Sequence, residues 1–179
     1  RQKLEYTATL LTDAQVGVSY SVSVATATGA DAITYAFKDG SKLPAGLSLS
    51  SAGMITGTPA AKGSTSFTVT ATAGNASVDA DFTIAVAEGV LSYAGGEISV
   101  AQGEAVSASV ASATGSGSIT YALKDGSALP EGLTLAQDGT ISGQVNEASD
   151  TEVTIMASAS DCKEAEANFT TVSYTHLTL

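Results

Sequence analysis

The chain has 179 residues, and 31 Ala, 23 Ser, 23 Thr and 18 Gly together make up 95 of them, against one Cys, one His and no Trp. That composition excludes an internal disulfide, a Cys/His zinc cluster and any Ser-His-Asp set that does not draw on His176. Eighteen acids against seven bases give a net charge of −11, which repels a phosphate backbone and an anionic membrane surface alike, so nucleic-acid partners are excluded. The imbalance is uneven: residues 1–88 hold five Lys/Arg and seven Asp/Glu, and residues 89–179 hold two and eleven. No apolar run approaches the ~18–20 residues that span a bilayer, so no membrane insertion is expected of this stretch. The start at Arg1 looks like neither a signal peptide nor a native beginning.

Alternation with period two predicts about seven short strands in the first half, near residues 5–10, 18–26, 33–38, 47–51, 54–57, 65–73 and 77–87. Val18, Tyr20, Val22 and Val24 alternate with small or polar residues, as do Phe67, Val69 and Ala71, then Phe82, Ile84 and Val86. One face of each strand is expected to be buried and one wet. Turn residues punctuate them: Asp39-Gly40, Leu43-Pro44-Ala45-Gly46, Ala52-Gly53, Gly57-Thr58-Pro59 and Gly74-Asn75. No segment carries a helical stripe.

The second half repeats the first. Residues 33–57 and 119–143 are identical at 16 of 25 positions with a constant offset of 86, from Ile33-Thr34-Tyr35 and Ile119-Thr120-Tyr121 to Gly57 and Gly143. The same offset extends from Ser21/Ser107 to Ala73/Ala159. A unit of that size exceeds a solenoid repeat and fits a small self-contained domain. The expected domains are residues 1–88 and 89–179, joined by the short linker Ala87-Glu88-Gly89-Val90, which should limit their relative motion.

Seven short antiparallel strands in a unit of this length predict an all-β fold, two tandem immunoglobulin-like β-sandwiches. The inter-sheet disulfide and strand-C Trp of antibody domains are absent, and Tyr35 and Tyr121 are placed to fill that space. The pattern Ile-Thr-Tyr, Leu-Pro-x-Gly-Leu-x-Leu, Gly-x-Ile-x-Gly and Phe-Thr-Val-Thr-Ala resembles the putative-Ig domains of bacterial surface proteins, relatives of the dystroglycan-type cadherin-like domains. The resemblance runs through nearly all of both copies. It implies a non-catalytic extracellular or cell-surface module, strung in tandem within a larger adhesin or secreted enzyme. Each signature residue also has a structural role: Leu43, Leu47 and Leu49 as core, Pro44 and Gly46 as turn, Gly53 and Gly57 bracketing the short strand at Ile55.

Among candidate sites, the repeated pairs Tyr6/Tyr35 and Tyr93/Tyr121 read as framework, leaving Tyr20 and Tyr174 as isolated rings, a poor platform for sugar stacking. Calcium, a hard cation served by carboxylates, is the sharper hypothesis. Asp79 and Asp81 share a strand face, Glu88 lies in the linker, and Asp161, Glu164 and Glu166 cluster in the corresponding hairpin of the second copy. Glu88, Asp161 and Glu164 form the candidate set, although the tandem calcium motifs of cadherins are missing, and no other cofactor is expected. The opposing reading is a solvated acidic face. Lys38-Asp39-Gly40 and Lys124-Asp125-Gly126 read as surface turns, Cys162 as an unreactive thiol, and Asn75-Ala76-Ser77 and Asn168-Phe169-Thr170 as sequons only in a glycosylating host.

The functional expectation is a rod-like spacer, stalk or adhesion segment and not an enzyme, its partners being flanking domains of the same chain and a cell-surface protein or glycan. The alternatives are a glycan- or protein-binding accessory module of a secreted enzyme, and a calcium-rigidified cadherin-like segment. One anomaly stands at the end. Allowing for one inserted residue, Thr171 and Ser173 fall where the first copy has Ile84 and Val86. Residues 172–179 resemble translated adapter sequence, so a bulge near Thr171 or a poorly packed final strand is expected, with no role for His176.

Overall fold

A computed structural model describes residues 3–175. The chain divides into two compact units, residues 1–89 and 90–179, each a two-sheet sandwich. In the first, one sheet has the order β1 (Ala14–Gln15), β7 (Ala76–Ala87), β6 (Gly63–Ala73), β3 (Thr34–Phe37). The other is β2 (Tyr20–Ser23), β5 (Met54–Gly57), β4 (Leu47–Leu49). The second unit repeats both: β9 (Gly96–Ala101), β16 (Ala165–Tyr174), β14 (Asp150–Ser158), β11 (Thr120–Leu123), and β10 (Ala105–Ser109), β13 (Thr140–Gln144), β12 (Leu133–Leu135). A two-stranded ribbon of β8 (Gly89–Val90) and β15 (Cys162–Lys163) completes the set.

The period-two pattern produces the core directly. Phe67, Val69 and Ala71 of β6 and Ala80, Phe82, Ile84 and Val86 of β7 are all buried, with their alternating neighbours turned to solvent. Val153, Ile155 and Ala157 of β14 and Ala167 and Phe169 of β16 do the same in the second unit. Ile55 and Ile141, the centres of the Gly-x-Ile-x-Gly strands, are fully buried from the opposite sheet. The central hairpins β6–β7 and β14–β16 are the long ones, with continuous antiparallel register from Gly63↔Val86 to Ala73↔Ala76 and from Asp150↔Val172 to Ala157↔Ala165.

Two expectations are corrected. No strand forms over 5–10. Glu5 makes a single bridge to Thr28, and pairing resumes at β1, which is parallel to β7. The opening strand β9 likewise runs parallel to β16, so the sheets are mixed and not wholly antiparallel. The cause is that the first and last strands of each unit enter and leave one edge in the same direction.

The final strand is the second correction. β16 is paired with β14 as far as Val172 and with β9 as far as Tyr174, with no bulge near Thr171. Thr171 is fully buried and Ser173 nearly so, and both point inward. Their hydroxyls are satisfied by backbone: Thr171 Oγ1 donates to Thr151 O at 3.0 Å, Ser173 Oγ donates to Glu147 O at 3.0 Å, and Ser149 N donates to Ser173 Oγ at 2.6 Å. A buried hydroxyl with partners costs far less than an unpaired one, so the register survives the loss of two apolar residues. His176, Leu177 and Leu179, on which the tail expectation also rested, lie outside the described residues.

Candidate functional site

Each unit is organised around one tyrosine pair. The Tyr6 and Tyr35 rings meet edge-on at 5.6 Å, and Tyr93 and Tyr121 repeat this at 5.5 Å. Tyr6 and Tyr93 each pack a second side against Phe82 and Phe169. Their hydroxyls donate to the carbonyls of Val24 (2.6 Å) and Val110 (2.7 Å). Ala27 N and Ala113 N in turn donate to the hydroxyls of Tyr35 and Tyr121. Burial first, then the neighbouring tyrosine, pushes the Tyr6 and Tyr93 phenols well above the usual range. Tyr20 is framework too, its hydroxyl donating to Thr12 O at 2.5 Å, while Tyr174 is half-exposed.

The Leu-Pro-x-Gly-Leu signature proves to be a close crossing of backbones. Gly46 and Gly57, at φ +97° and +136°, face each other so tightly that a Cβ on Gly57 would overlap the Gly46 carbonyl oxygen. Thr58 N and Ala60 N donate to Gly46 O and Ala45 O, locking the turn to the end of β5. Gly132 and Gly143 repeat the crossing, with Gln144 N donating to Gly132 O. Beside it, Pro130, Glu131, Gln144, Asn146, Glu147 and Thr151 border an open polar hollow of about 490 Å³.

The lysine that both copies retain is engaged in a cross-strand pair in each unit. Lys38 Nζ lies 2.8 Å from Asp79 Oδ2, and Lys124 Nζ 2.9 Å from Glu166 Oε1. The Lys38 hydrogen bond, then that from Thr70, holds the Asp79 carboxyl below the usual carboxylate range. Asp81 accepts from Thr68 Oγ1 at 2.6 Å, as Asn168 accepts from Thr154 Oγ1 at 2.7 Å. Sequence reasoning read each Lys as a surface turn residue. The signal it missed is that Asp79 and Glu166 sit at matching positions once the longer hairpin of the second copy shifts the offset to 87.

The calcium candidates are placed as follows. Glu88 forms an ion pair with Lys62 at 3.6 Å, and its carbonyl accepts from the Gln15 amide. Asp161 takes φ +56° in the turn closed by Cys162 N and Ala159 O. Glu164 accepts from Ser158 Oγ at 3.3 Å. Among the described residues, no three His, Cys, Asp or Glu side chains are grouped so as to hold a metal ion. Cys162 is buried, its thiol facing Ser116 O at 4.0 Å. Asn75 occupies the exposed β6–β7 turn, whereas Asn168 lies within β16.

These features define a tandem pair of immunoglobulin-like sandwiches whose repeated polar groups serve the framework. The chain belongs to the Putative Ig domain family, whose model matches residues 4–87 and again 89–175. No curated protein matches the chain. Among solved structures it is similar to the endo-fucoidan hydrolase MfFcnA4 of glycoside hydrolase family 107, at 16% identity and TM-score 0.47 over 98% of this chain and 29% of that one. It is also similar to the insect immune protein hemolin, at 15% identity and TM-score 0.48 over 98% and 47%. Titin domains z1z2 give 18% identity and TM-score 0.38 over 98% and 95%. The chain thus spans about three tenths of the hydrolase.

Proposed function

We propose that this chain is a non-catalytic, extracellular pair of modules that spaces or projects another part of a larger bacterial surface or secreted protein, with adhesion through exposed loops. One observation carries the reading. The tyrosines, the crossing glycines and the lysine that the two copies hold in common serve the framework of each unit: the tyrosine pairs in the core, the glycines at the backbone crossing, the lysines in cross-strand bridges. Duplication has kept what builds a unit twice over, as a spacer needs. The partners of such a segment are the flanking domains of its own chain and a cell-surface protein or glycan.

The test is autonomy. Residues 1–89 produced alone should unfold in one cooperative thermal transition, since each unit has its own core. A soluble product without a cooperative transition would refute the modular reading. Saturable binding of a soluble glycan by the full chain would replace the spacer with an accessory binding module.

A further inference from the structure

The two units differ at one point in the strand that opens each sandwich. In the second, burial alternates without a break: Ile98 buried, Ser99 exposed, Val100 buried. In the first, two exposed residues, Thr12 and Asp13, separate the buried Leu11 and Ala14. Leu4 and Tyr6 match Leu91 and Tyr93 at an offset of 87, whereas Ala14 and Gly17 match Val100 and Gly103 at 86. The first unit therefore carries one extra residue between Leu11 and Ala14. An odd residue inverts a strand's faces unless it is looped out, and the ladder is lost around it.

The consequence is a difference in how the terminal strands are joined. β9 pairs in parallel with β16 over six residues, from Gly96↔Phe169 to Ala101↔Tyr174. β1 pairs with β7 over two, Ala14↔Val86 and Gln15↔Ala87. The backbone bridges of the opening segments are matched, since Glu5 and Thr28 exchange two hydrogen bonds of 2.8 Å, as do Ser92 and Thr114. The first unit adds side-chain ties from the Tyr20 hydroxyl to Thr12 O and from Thr26 Oγ1 to Thr7 O, which run across to the segment and not along a parallel ladder.

Tension along the chain acts on these pairs in a particular way. It draws β9 back towards Gly96 and β16 onward past Tyr174, so the parallel strands slide along each other. All their hydrogen bonds are strained together, whereas a hairpin peeled from its open end loses them one at a time. A unit with the longer parallel pair resists such sliding better, and forced unfolding is governed by the unfolding barrier.

We propose that the second unit is the force-resisting member of the pair, that the first yields at lower tension, and that the extra residue at Thr12–Asp13 sets the difference. As a statement of function this rests on the spacer reading; as a statement of mechanics it does not.

Single-molecule pulling on the full chain tests it, with a Gly-Ser extension in the exposed Gly74–Asn75 turn to mark the first unit by added length. The marked event is expected at the lower force. Inserting one Asp after Ser99 reproduces an arrangement the first unit already tolerates, and should remove the gap between the two forces. Deleting Asp13 should raise the lower force towards the higher. A marked event at equal or higher force would overturn the proposal, as would a higher force unmoved by the insertion in a chain shown by circular dichroism to be folded. If neither variant folds, the order of the marked event decides. Failure of the spacer reading would show separately, as soluble-ligand binding with the order of forces unchanged.

Discussion

Replacing Gly57 by Ala tests whether the family signature exists to let two backbones cross. Gly57 has φ +136°, and an added Cβ would overlap the Gly46 carbonyl oxygen and come within 3.1 Å of Leu47 Cα. Holding a non-glycine residue in such backbone costs about 1–3 kcal/mol. Because the obstacle is main chain held by Thr58 N and not a flexible side chain, relieving the overlap should cost about another 1–3 kcal/mol, as overpacking does. A loss near 4 kcal/mol is a large share of a domain's roughly 5–15 kcal/mol stability. It would lower the first unit's melting temperature by roughly 15–30 °C, at about 4–8 °C per kcal/mol for a domain of this size. Scanning calorimetry of the full chain should show the first-unit transition displaced and the second unmoved. Gly143→Ala should do the reverse. Gly40→Ala is the control, since Gly40 has φ +88° but nothing within 4 Å of a new Cβ, leaving the backbone term alone. Equal losses for Gly57→Ala and Gly40→Ala would refute the crossing as the reason for the signature.

Three further outcomes are expected. Tyr6→Phe and Tyr93→Phe should each cost about 1 kcal/mol in their own unit's transition, the worth of one buried hydrogen bond, because the Val24 and Val110 carbonyls keep a second donor in Thr26 N and Ser112 N. Lys38→Met should raise the Asp79 pKa towards its ordinary value in an NMR titration. Since Asp79 is held low in the folded state, its contribution to stability is present above the unfolded-state pKa and fades as pH falls through the folded-state one. The variant should lose the larger part of that acid-side dependence, keeping the part due to Thr70. Millimolar calcium should leave both melting transitions in place. A stabilisation approaching 2.7 kcal/mol at about 100 times a dissociation constant, abolished by Asp161→Asn with Glu164→Gln, would instead establish a site there.

The sequence by itself determined the duplication, the all-β class and most of the core. The reason is that strand burial has a period of two, so Phe67, Val69, Phe82 and Ile84 announce their faces without knowledge of any partner. The tyrosine pairs were legible because they recur, and their hydrogen bonds then followed from the need to satisfy a buried hydroxyl. Tertiary structure alone decided the rest. Which acid meets Lys38 depends on register across β6 and β7, which local sequence does not encode. Thr171 and Ser173 looked like a broken strand because side-chain polarity is visible in a sequence, whereas the carbonyls of Thr151 and Glu147 that receive them are not. The parallel joining of β9 to β16, and its curtailment at β1 by one extra residue, arises from two segments some seventy positions apart meeting at one sheet edge. A period-two reading of either segment alone gives its faces and leaves its neighbour, direction and length of contact to the fold.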